Sequence, residues 1–120
     1  MELDKSVKEI MEKAKRLAKE KGHEYYSPEH FLLALLKNEA TSNIFDDANF
    51  NKEKFENLVE KYFTENILPL NRVNPVPSAV LRDVIDYAFK LDKFEGRNVN
   101  IFDIVISIFN NQDSPSPAML

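Results

Sequence analysis

The chain has 120 residues, of which 43% are apolar and 30% charged, with a formal net charge of −4 and no cysteine. This is enough for one domain with its own core, and too apolar for disorder over most of the length. The mild acidity argues against non-specific DNA or RNA binding, which Lys and Arg carry, but suits a partner with a basic patch; without cysteine there is no disulfide, thiol catalysis or thiolate metal site.

The amino terminus is charged and amphipathic, unlike a signal peptide, and the longest apolar run, Phe31–Leu36, falls far short of a membrane span. A cytoplasmic location is the expectation. Asp4 is placed to cap a first helix whose apolar stripe is Val7, Ile10, Met11, Ala14, Leu17 and Ala18, with Lys and Glu on the other faces. Gly22 follows as its C-cap. In the turn His23-Glu24-Tyr25-Tyr26, one tyrosine is expected to point inward. Ser27 and Pro28 then start a second helix, Glu29 suits its amino-terminal dipole, and six apolar residues follow. A helix apolar all round belongs at the centre of a fold.

A short helix is expected from about Thr41 to Ala48, burying Ile44 and Phe45. Another, capped by Asn51, carries Phe55, Leu58, Val59, Tyr62 and Phe63 and ends near Thr64. Residues 65–77 form a connector in which Pro69, Pro75 and Pro77 oppose a helix. Its Ile67, Leu68, Leu70, Val73 and Val76 are too apolar for a free tether, so the connector reads as an ordered strap. It either covers the core or leaves a shallow apolar groove. From Ser78 a helix is expected to about Lys93, then another from a cap at Asn100 to about Asn110. Short strands at Val99–Ile101 or Ile104–Ile106 are the weaker alternative. Residues 113–120 read as a turn and the start of a helix.

The second half repeats the first. Val7, Ile10, Met11, Ala14, Leu17 and Gly22 match Leu81, Val84, Ile85, Ala88, Leu91 and Gly96 at one constant offset. After the glycines one residue is lost, and Leu32–Leu36 matches Val105–Phe109. The expectation is an all-α, pseudo-symmetric bundle: repeat one at about 1–64, the connector at 65–77, and repeat two at about 78–120. Each half supplies an amphipathic helix, a turn and a buried helix.

Catalytic signatures are missing. There is no GxxxxGK[ST], and two glycines cannot build a dinucleotide loop. His23 and His30 straddle a turn, which supports a shared metal only weakly. His30, near a helix amino end where an imidazolium is disfavoured, reads as a neutral histidine holding the turn. No nucleophile stands beside it for catalysis. Glu24 and Glu29, with Asp46 or Asp47, are expected to form an acidic patch, either plain solvent coating or a docking surface. Arg82 and Arg97 suit either partner carboxylates or an ion pair within the domain.

The run His23-Glu24-Tyr25-Tyr26-Ser27-Pro28-Glu29-His30 through Leu36 resembles the signature of the Clp amino-terminal domain of Hsp100/Clp unfoldases. Gly96-Arg97-Asn98-Val99-Asn100 through Asn110 resembles its second, weaker copy. Ser27 stands where threonine is usual, and Asp103 where the family has histidine or a neutral residue. The resemblance spans the whole chain and is closest in wording to the ClpA branch. It implies two pseudo-repeated four-helix motifs packed as one compact bundle, the last helix here cut short.

The resemblance further implies a non-enzymatic recognition domain that docks a ClpS-like adaptor and protein substrates, with Glu24, Glu29, His30, Arg82 and Arg97 as candidate contacts. No cofactor belongs to the domain itself. ATP and Mg would be used by AAA+ modules of a hexameric parent that feeds a ClpP-like peptidase, while the isolated domain is expected to be a monomer. The alternative is direct capture of unfolded or aggregated protein, as in ClpB- or ClpC-like members.

Overall fold

The computed structural model describes residues 2–45, 50–91, 97–111, 113 and 115, without the side chains of Ile44 and Phe45. Its elements in chain order are α1 (Lys5–Glu20), β1 (Tyr25–Tyr26), α2 (Pro28–Lys37), a 3-10 turn (Ser42–Phe45), α3 (Lys52–Asn66), β2 (Val76–Pro77), α4 (Ala79–Leu91) and α5 (Ile101–Asn110). The architecture is an all-α bundle of two packed sub-motifs.

α2 lies at the centre. Every residue from Pro28 to Leu36 is buried. α1 covers one side with Val7, Ile10, Ala14 and Ala18, and α3 another with Phe55, Val59 and Phe63. Both stripes follow the three-and-four spacing read from the sequence. Asn51 caps α3 by accepting the Lys54 N–H at 2.9 Å. Thr41 closes the far end of α2, its hydroxyl donating to the Leu35 carbonyl at 2.8 Å. Ser78 starts α4 by accepting the Leu81 N–H at 3.0 Å.

The sequence reading missed the link between the halves. β1 and β2 pair in parallel, Tyr25 with Val76 and Tyr26 with Pro77. On the other side, Leu3 makes a parallel bridge to Val99. The Asp4 N–H donates to the Val99 carbonyl as the Ser78 N–H donates to that of Tyr26. Each half thus pairs the segment leading into its first helix with the turn of the other half. Two-residue ladders fall below any period-2 pattern, which is why they were not legible.

The connector is ordered, but not as a cover. Pro75 is buried and Ile67 packs against the core, whereas Leu68 is 84% exposed and Leu70 and Val76 are about half exposed. α5 also departs from expectation. Ile101, Ile104 and Ile108 are buried, but Phe102, Ile106 and Phe109 face outward, so it is not enclosed as α2 is. α3 runs to Asn66, past the expected Thr64. Expectations for Asp46–Ala48, the burial of Ile44 and Phe45, the end of α4 at Lys93, Gly96 and most of the final helix start lie outside the described residues.

Gly22 ties the strap to the bundle. It ends α1 with φ +73°, its N–H donating to the Lys19 carbonyl while the His23 N–H reaches Ala18. Its own carbonyl accepts the Leu70 N–H at 2.8 Å, and a Cβ here would sit 2.5 Å from the Leu70 carbonyl oxygen. A left-handed residue pressed against backbone has two reasons to be glycine. Gly22→Ala should therefore lower the unfolding free energy by about 1–3 kcal/mol in a denaturant titration.

Candidate functional site: the turns and the ribbon they form

In each half, the turn after the first helix is clamped to the start of the second. In the first half the clamp is a histidine pair. The Ser27 N–H donates to Nδ1 of His30 at 2.9 Å, with the Ser27 hydroxyl 2.7 Å from the same nitrogen. That nitrogen is therefore unprotonated, and the ring proton sits on Nε2. It donates to Nδ1 of His23 at 2.9 Å, which makes His23 neutral with its proton on Nε2. The His30 ring thus plays the part that Glu or Gln takes in a common capping box.

α3 fastens onto this pair. Phe63 stacks on His30 with centroids 4.3 Å apart and meets His23 edge-on at 5.0 Å. Lys21 pairs with Glu60 at 2.7 Å, and Lys37 with Glu56 at 3.1 Å. Burial, His23 and Lys21 push the His30 ring down to about 3, and burial with Lys21 lowers His23 as well. Among the described residues, no three His, Cys, Asp or Glu side chains converge as a metal would need.

The second half makes the same clamp from charges. The Asn100 side chain accepts the Asp103 N–H at 3.0 Å, and Asp103 accepts the Asn100 N–H at 2.9 Å. Arg97 grips the Asp103 carboxylate with two N–H groups, at 2.8 and 3.1 Å. Arg97 thus takes the place of His23, and Asp103 that of His30.

These positions sort the five candidate contacts. His30 is fully buried and Glu29 is 3% exposed, beside Tyr62, whose hydroxyl pKa is raised by burial and by that carboxylate. A partner cannot reach either one, so both belong to the framework and the expected Glu24–Glu29 patch reduces to Glu24. Asp46 and Asp47 lie outside the described residues. Arg97 is half exposed but committed to Asp103. Glu24 and Arg82 are exposed.

Glu24 adjoins β1, and Arg82 lies in the helix that follows β2. The Glu24 carbonyl accepts the Val76 N–H, Tyr25 and Val76 are half exposed on the ribbon, and Arg82 lies on the first turn of α4. Leu70, half exposed on the strap, is bonded through its N–H to Gly22 at the start of the same turn. The exposed Tyr25 and Val76 were missed as a pair because their proximity depends on the β1–β2 register.

The neutral histidines make the fold acid-sensitive. Above pH about 6.5 neither the folded nor the unfolded His30 is charged. Below it the unfolded ring gains a proton that the folded ring refuses until pH falls to about 3. Stability should thus fall with decreasing pH through that window, by up to about 1.4 kcal/mol per unit for His30. His30→Gln, which keeps the cap without the ring, should flatten the dependence of melting temperature on pH between 6.5 and 4. Asp103→Ala should cost about 2–4 kcal/mol of unfolding free energy, because it removes a cap and strands the Arg97 contacts.

A search of curated proteins finds no match for the sequence. Among solved structures, the Hsp104 N-terminal domain from Candida albicans is similar with a TM-score of 0.77 at 18% identity, covering 99% of this chain and 79% of that one. A structure from work on a malarial protein secretion system gives 0.76 at 21%, covering 93% and 79%. One described as a peptide from the EAEC T6SS Sci1 SciI protein gives 0.75 at 16%, covering 98% and 73%. At these identities the likeness is one of fold. The Clp repeat (R) N-terminal domain family matches residues 2–119. The chain belongs to that family, the non-catalytic adaptor- and substrate-binding domain of Hsp100/Clp chaperones.

Proposed function

We propose that this domain is the docking module of a ClpA-like cytoplasmic unfoldase and receives a ClpS-like adaptor on the surface around the β1–β2 ribbon. The observation that carries the reading is the pairing of half-exposed Tyr25 with half-exposed Val76 on the ribbon, next to the exposed Glu24. An amphipathic rim around apolar contacts is what a protein partner uses for affinity and orientation. Docking raises the effective concentration of adaptor-borne substrate near the unfoldase pore. ATP hydrolysis with Mg, and delivery to a ClpP-like peptidase, belong in this reading to other modules of the parent protein.

A second reading is direct capture of unfolded or aggregated chains, as in a ClpB- or ClpC-like protein. The exposure of Leu68 and Leu70 on an ordered strap favours it, because such side chains offer unfolded segments a fixed apolar ledge.

Calorimetric titration separates the two. With a ClpS-like adaptor, saturable binding is expected, and Glu24→Lys and Arg82→Glu should each weaken it by about 3–10-fold and reduce its salt dependence. Both sites are exposed, so the melting temperature should hold. Binding of a permanently unfolded polypeptide, sensitive to Leu68→Ser and indifferent to the two charge reversals, would favour direct capture. Binding of neither would sink both readings.

A further inference from the structure

The outer faces of α1 and α4 share one spacing with opposite charges. On α1, Lys13, Arg16, Leu17 and Glu20 border a groove of about 210 Å³, together with Ala34 and Lys37 of α2. On α4, Asp83, Asp86, Tyr87 and Lys90 border one of about 320 Å³ beside the end of α5. Both sets follow i, i+3, i+4, i+7, which puts each on one helical face. Each set lines a single groove, so its charges belong to one surface.

Read along the helix, the first set is cation, cation, apolar, anion. The second is anion, anion, aromatic, cation. Arg16, Glu20, Asp83, Asp86 and Lys90 are exposed, Lys13 is half-buried, and Tyr87 is 41% exposed. Among the described residues, none of these six charges is held in an ion pair. Lys37 adds a further cation to the first groove while pairing with Glu56 at 3.1 Å.

We infer that the α1 face of one copy of this chain receives the α4 face of a second copy. Laid parallel, the two helices set Lys13 against Asp83, Arg16 against Asp86, Leu17 against Tyr87 and Glu20 against Lys90. The tyrosine ring covers the apolar floor that Leu17 and Ala34 leave between the cations. One turn earlier, Glu9 and Glu12 meet Ala79 and Arg82, so this register brings no like charges together. Laid antiparallel, Lys13 would meet Lys90 and Glu20 would meet Asp83. The pattern therefore fixes direction as well as partner. Each contact uses one face from each copy and leaves the opposite face free, so copies add head to tail. Four residues a side fall below the roughly 800 Å² per partner of a standard interface. The contact is therefore weak and salt-sensitive, and it acts where identical chains are held close together.

Sedimentation velocity of the full chain at low ionic strength tests this. The average mass should rise with concentration and return to that of the monomer as salt is raised. Two variants decide the contact: Lys13→Glu with Arg16→Glu, and Asp83→Lys with Asp86→Lys. Each alone should associate about tenfold or more weakly than the parent chain. An equimolar mixture of the two should recover association, because the reversed faces complement one another. The substituted side chains lie outside the core, so both melting temperatures should hold. A chain that stays monomeric at every concentration in low salt would overturn the inference, as would association that both variants retain or a mixture that stays monomeric. So would association lost by one variant and kept by the other, which assigns the contact to like helices, α1 on α1 or α4 on α4. None of the four substituted residues belongs to the ribbon surface, so adaptor binding can fail without touching this result.

Discussion

A helix with no face for water has to be enclosed, and most of this molecule follows from that. Pro28 to Leu36 is buried without interruption. α1, α3, the 3-10 turn, β1 and α4 all contact the helix they make up. Burying this run contributes on the order of 1.5–3 kcal/mol for each large side chain, more than any surface ion pair supplies. The price is that every polar group at its ends must find a partner inside the protein, and Ser27, His30 and Thr41 meet that need.

The two clamps show one geometry built from different chemistry. A neutral histidine pair and an arginine–carboxylate fork each join a turn to the helix that follows it. The choice follows from surroundings. His23 and His30 sit under Phe63, where a charge would lose its hydration. Arg97 is partly in water and can remain charged while its partner is buried. Equivalent positions in a repeated fold are thus constrained in reach and hydrogen-bonding pattern, not in residue type.

Helix positions were legible because stripes such as Val7–Ile10–Ala14 and Phe55–Val59–Phe63 record burial in their spacing. Most caps were legible for the same local reason: Asn51, Asn100 and Gly22 satisfy their own helix ends, whereas the expected Asp4 side-chain cap of α1 is not made and Asp4 accepts from the Ser6 hydroxyl instead. What escaped depended on distant partners. The burial of Glu29, the pairing of Tyr25 with Val76 and the bond from Leu70 to Gly22 involve residues whose approach no periodicity encodes. The repeat itself misled in one respect. It made α5 look enclosed because α2 is, although the outer cover of α2 comes from α3, which lies beyond the matched segments.

The reciprocal pairing has a consequence for the order of events during synthesis. Glu2 and Asp4 find their backbone partners at Val99, and Glu24 and Tyr26 find theirs at Val76 and Ser78. A nascent chain emerging from the ribosome therefore has both ladders flanking α1 and α2 unmade until the second half arrives. Synthesis at about 5–20 residues per second keeps the partners apart for seconds, far longer than helix formation takes. During that interval the apolar central helix is the segment with most to gain from a chaperone's protection.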